Sequence, residues 1–182
     1  ADGARITHLI GTEAVKVAQY AQPHLAETSV QGGQTRRVAA TDNLFAGQPV
    51  AMPGGRIGLI VGEDRREVAA VVDRAGKLQR VSDGAMGISA QCGEEAGSAG
   101  RAVIASGDAS PAEVHVLSGG KLRALTSHNA GLAKQVAWAP VQDFAARASD
   151  GNEVHGMVTL PAGYVAGQRD RKSTRLNSSH TD

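Results

Sequence analysis

Three short segments of this chain repeat one pattern: GGQTRRV from Gly32, AGKLQRV from Ala75 and GGKLRAL from Gly119. Their second residues, Gly33, Gly76 and Gly120, lie 43 and 44 residues apart. Each segment follows an apolar run, LAETSV, VAAVV or VHVL, and leads through basic residues to Val38, Val81 or Leu125. Glycine reaches positive φ at little cost, so each recurrence predicts a tight hairpin turn. A second pattern precedes the first in the same order: DGARI, GGRIGLI and AGRAVIA, with Arg5, Arg56 and Arg101 at or just after a glycine. One unit is therefore a four-stranded meander of about 43–45 residues, the period of a β-propeller blade.

The local signals agree. Short apolar runs bounded by Gly, Asp, Asn and Pro predict strands over Arg5–Ile10, Leu25–Val30, Arg56–Val61, Val68–Val72, Arg101–Ala105 and Val114–Leu117. Thr12–Tyr20 is the only stretch read as helical, at most a turn or two. The expected class is all-β: a partial propeller of about three four-stranded blades over residues 1–142. Three blades do not close a ring of roughly four to eight, so the rest of the propeller is expected outside this sequence. The first repeat carries an insertion from Gly11 to His24, in which Tyr20 and His24 have the most obvious binding chemistry.

Composition excludes several function classes. No run approaches the roughly 18 consecutive apolar residues of a membrane-spanning helix, so no membrane partner is expected. The single cysteine, Cys92, rules out a disulfide framework and a cysteine-built zinc site, and is read as a small strand residue. The N-terminus has neither an initiator Met nor a signal peptide and reads as the middle of a longer protein, so localisation stays unknown. Residues 170–182, DRKSTRLNSSHTD, differ abruptly from what precedes them, and Asp170–His180 back-translates into a common sequencing-library adapter. This tail is expected to be an adapter-derived artefact without structure. Removing its three basic and two acidic residues from the 19 and 18 of the whole chain leaves a net charge of zero. Any nucleic-acid partner inferred from slight basicity goes with it.

No complete catalytic constellation is present. Gly87-Ile88-Ser89-Ala90-Gln91 lacks the second glycine of a nucleophile elbow and lies in a predicted strand. GGRIGLIVGE from Gly54 has neither dinucleotide-loop spacing nor a Lys-Ser/Thr ending and reads as a hairpin. The six histidines (His8, His24, His115, His128, His155 and His180) show no short metal-ligand spacing. Catalytic, cofactor-binding and metal residues are all assigned as none, and no cofactor is expected.

Beyond the third repeat the phase changes. A strand over Asp143–Ala148, a turn at Ser149-Asp150-Gly151-Asn152 and a strand over Glu153–Leu160, stopped by Pro161, predict a β-hairpin outside the blade period. The last blade carries Gly120, Leu122, Arg123, Leu125, Thr126 and Asn129 in a G-x-L-R-x-L-T-x-x-N pattern. The hairpin carries Asp150, Gly151, Glu153, Val154, His155, Gly156, Met157, Val158, Pro161 and Gly163. In these residues the chain resembles the prolyl oligopeptidase family of serine peptidases, diffusely from Ala1 and strongly from Glu113 to Gln168. It departs from that pattern at Ser149, which directly precedes Asp150, and at Val158-Thr159, where bulkier residues are frequent.

The resemblance implies that residues 143–169 open an α/β-hydrolase domain, and that the propeller gates the access of peptide substrates to it. A Ser, Asp and His triad would lie downstream, so this fragment alone is expected to be inactive. Ser149 and His155, though close in sequence, are assigned to structure. The competing reading is a non-catalytic propeller that serves as a binding or scaffold module; it accounts for the repeats but not for the off-phase hairpin.

Overall fold

The structure is a computed structural model and describes residues 3–11, 23–41, 44–63, 65–94, 97–98 and 100–167. Thr12–Tyr20, with the candidate Tyr20, and the tail 170–182 lie outside the described residues.

The repeat unit folds as an antiparallel meander. The first sheet orders β1 (Arg5–Ile10), β2 (His24–Ser29) and β3 (Arg36–Arg37). The second is a complete blade, β4 (Phe45–Met52), β5 (Arg56–Glu63), β6 (Arg66–Val72) and β7 (Leu78–Arg80). The third repeats it with β8 (Gly87–Gln91), β9 (Arg101–Gly107), β10 (Ser110–Ser118) and β11 (Lys121–Ala124). Four strands were expected in every blade; the first sheet has three among the described residues. In each blade the Arg-led pattern becomes the strand before the apolar run, and the glycine motif becomes the turn and strand after it.

The glycines of that motif do share positive φ: 115° at Gly33, 83° at Gly76 and 82° at Gly120. Their turns differ in length. Ser118 pairs with Lys121 across Gly119-Gly120, both at positive φ, as a two-residue hairpin of the right-handed sheet twist requires. Between β6 and β7 a longer turn is organised by Asp73, whose Oδ1 accepts from the backbone N–H of Ala75 and Lys77, both at 2.9 Å.

Two apolar clusters hold the blades together. Leu25 and Val38 of the first blade region meet Leu59, Val61, Val68, Ala70 and Val72. On the other side of the second blade, Ile60 and Ala69 meet Ile88, Val103, Ala105 and Leu117. Alternate residues of β5 and β6 thus serve opposite seams, as the two-residue strand period dictates.

The blade period also reads out directly in space. Gln48 and Gln91, Arg65 and Asp108, and Gly58 and Arg101 are each 43 residues apart, and each pair meets across the seam between the second and third blades. Residues one period apart thus meet across this seam, although Arg101 holds the repeat place of Arg56 and not that of Gly58. At the first pair Gln48 has a φ of 47° where β4 bulges, and is held by reciprocal amide bonds: its Nε2 donates to Ser89 O at 2.7 Å and Gln91 Nε2 donates to its carbonyl at 2.9 Å.

After β11 a short helix, α1 (Ala130–Gln135), leads to β12 (Val141–Arg147) and β13 (Glu153–Thr159), which among the described residues pair only with each other. Six residues are under two turns, too few to carry a 3.6-residue period, which is why the sequence reading missed α1.

Candidate functional site

The chemistry gathers where the blade turns meet the off-phase hairpin. The β5–β6 turn presents Arg65, β6 opens on Arg66, the β9–β10 turn presents Asp108, and β12 presents Asp143. Arg65 grips Asp108 with both ends of its fork, Nη1 to Oδ1 at 2.9 Å and Nη2 to Oδ2 at 3.1 Å. The same guanidinium reaches Asp143, Nη2 to Oδ2 at 3.4 Å, with Nε closer still to Oδ1. Arg66 donates from Nη2 to Asp108 Oδ2 at 3.0 Å and from Nη1 to the carbonyl of Ala85. The planar guanidinium suits this because it offers several donors in fixed directions. Hydrogen bonding to Arg65 holds the Asp108 carboxyl below its ordinary range, and the two aspartates raise the Arg65 guanidinium further above its own.

Beside this node lies a cleft of about 480 Å³ between blade and hairpin, bordered by Glu63, Arg65, Arg66, Phe144, His155 and Gly156. The Phe144 ring lies over Gly156, its cross-strand partner, where any Cβ would sit 2.5 Å from the ring. His155 Nε2 is 3.0 Å from Glu153 Oε1 on the same strand, while Ser149 lies in the turn beyond the strand end.

His24 is placed differently from its sequence reading. It opens β2 as a buried side chain, 3.0 Å from an Arg37 nitrogen, and is not presented on a loop. Cys92 is exposed just past β8, and not within a strand.

The Thr126 and Asn129 signature has a structural role. Glu113 on β10 accepts from Thr126 Oγ1 and from the Asn129 backbone N–H at 2.6 Å, and Asn129 Nδ2 donates to the Ala112 carbonyl at 2.9 Å. These bonds keep the Glu113 carboxyl below its ordinary range, Thr126 foremost. They fasten the segment leaving the last blade to the middle of that blade.

Arg65, Asp108 and Asp143 were not singled out by the sequence reading. The signal for the first two was available: opposite charges in adjacent hairpin turns, one blade period apart. Nothing in the sequence pointed to Asp143, because the docking of β12 has no repeat to place it.

The fold has counterparts among solved structures. An acylaminoacyl peptidase from Pyrococcus horikoshii superposes with a TM-score of 0.65 at 18% identity, over 86% of this chain and 23% of that one. The β-propeller domain of the Trilobed protease from Pyrococcus furiosus, described as having an open velcro topology, superposes with a TM-score of 0.52 at 16% identity, over 70% of this chain and 36% of that one. The fold is that of a partial β-propeller. This chain spans under a quarter of the acylaminoacyl peptidase and just over a third of the Trilobed propeller domain. No protein-family model matches it, and no curated protein matches it in sequence.

Proposed function

We propose that this chain is part of a serine peptidase of the prolyl oligopeptidase type. Residues 1–142 are blades of its propeller, residues 143–169 open its α/β-hydrolase domain, and residues 170–182 are translated adapter. The observation that carries this reading is the hairpin β12–β13. It follows the fastened end of the last blade, shares no strand pairing with it, and lies against the turn face, leaving a cleft between. A propeller serving only as a scaffold has no use for a hairpin in that place.

In this reading the propeller restricts access to short peptides, and peptide hydrolysis is carried out by residues outside the chain. The Ser hydroxyl attacks the scissile carbonyl as the His takes its proton, and backbone N–H groups hold the oxyanion. This chain supplies the wall and the docking turns, and no cofactor. Its partners are the peptide substrate and the remaining blades and hydrolase domain of the same protein.

The deciding experiment is recovery of the uninterrupted gene, followed by fluorophosphonate labelling of its product. A G-x-S-x-G serine downstream of Gln168 should be labelled in the full protein, and nothing in this chain. A gene that continues with further blades and no nucleophile elbow would replace the peptidase with a non-catalytic binding module.

A further inference from the structure

The geometry points to Arg65 as an ionic latch: through Asp143 it holds the β12–β13 hairpin down on the propeller, and it releases the hairpin when that contact is neutralised or screened. The inference rests on contacts within this chain and stands whether or not the peptidase reading holds.

Three observations carry it. Among the described residues, Arg65 is the one seen to bond both the third blade, through Asp108, and the hairpin, through Asp143. Its two contacts differ in exposure: the Arg65 side chain is 19% exposed and Asp108 38%, whereas Asp143 is 67% exposed. Water and salt therefore compete far better for the hairpin contact than for the seam contact. Finally, Asp108 has a second cationic partner in Arg66, at 3.0 Å, so the seam between the blades stays tied when the hairpin leaves.

Release has a structural consequence. Among the described residues β12 and β13 pair with no other strand, and a two-stranded hairpin alone is marginal in water. Lifted from the propeller it frays, and the cleft beneath Phe144 and His155 opens from the side. An exposed ion pair is weak, which suits a contact that must break and reform.

Hydrogen exchange of the full chain, read by mass spectrometry on peptides covering β12 and β13, tests the latch. At about 0.05 M salt, Asp143→Asn should speed hairpin exchange by about two- to five-fold, the equilibrium shift expected from one exposed pair. The second and third blades should keep their wild-type rates. Raising salt to about 0.5 M should bring wild type up to the variant's rate and leave the variant unmoved. Arg65→Met should act on the hairpin in the same way; if it also loosens the blades, Asp143→Asn, which leaves the Arg65–Asp108 pair in place, remains decisive. Arg36→Met, which breaks the remote Arg36–Glu27 pair, is the control and should leave hairpin exchange and its salt response unchanged. Equal hairpin exchange in wild type and Asp143→Asn, or the same salt response in both, would overturn the latch.

Discussion

The second and third blades have the same strand plan and nearly the same apolar content, yet they are buried differently. In the second, four successive residues of β5 and five of β6 are buried. In the third, β9 alternates: Arg101, Val103 and Ala105 are buried, and Ala102 and Ile104 are exposed. Strands covered on both faces read as continuous apolar runs, and IGLIV and VAAVV do so. RAVIA reads almost as apolar, but Ile104 is 40% exposed. Burial here belongs to the neighbour, not to the strand.

The largest expected effect tests that contrast. Leu59→Ala empties a fully buried position between the first two blades and should cost about 2–5 kcal/mol in urea unfolding. Ile104→Ala, an aliphatic truncation at the matching strand of the third blade, should cost about 0.5 kcal/mol or less. Comparable losses at the two sites would mean that the third blade's outer face is covered in solution.

Next is Gly58→Ala at the seam between them. The new methyl would lie 2.6 Å from Arg101 Nη1 and 2.8 Å from Val50 Cγ2, and should cost about 1–3 kcal/mol by overpacking. The Arg101 fork can yield but the Val50 methyl cannot without shifting the strand. A Tm equal to wild type would mean that the blades are not pressed together there. Gly120→Ala in the third blade's hairpin meets nothing closer than 3.6 Å, so only its φ of 82° resists; about 1 kcal/mol of destabilisation is expected.

The smallest effect is the pH response of the third blade's fastening. Glu113 has its folded pKa below the ordinary value near 4.5, so its stabilisation is full above that value and fades as pH falls through the folded one. Glu113→Gln should therefore be less stable than wild type at neutral pH, and the gap should narrow on acidification. A gap independent of pH, measured by thermal melts across that range, would show that the Thr126 and Asn129 bonds do not depend on the carboxylate.

The sequence by itself determined the period, the strands and the hairpins, because these are local: turn glycines, apolar runs and their spacing act within a single meander. It also placed a hairpin after the last blade motif, and the run from Asp143 to Leu160 does pair across a turn that holds Asp150 and Gly151. Only the tertiary structure decided which repeated residues share an environment. Arg5, Arg56 and Arg101 hold one place in the repeat, yet Arg5 pairs with Glu27 in solvent, Arg56 bonds the Pro53 carbonyl, and Arg101 is 2% exposed against Met52. Its Nη2 has no partner among the described residues and burial lowers its pKa, because the seam between the second and third blades closes over it. The same holds for Arg65: its type and turn position are in the sequence, but the two aspartates that share it come from a neighbouring blade and from a hairpin 78 residues away. Electrostatic contacts across a seam depend on how sheets stack, and no local rule of sequence carries that information.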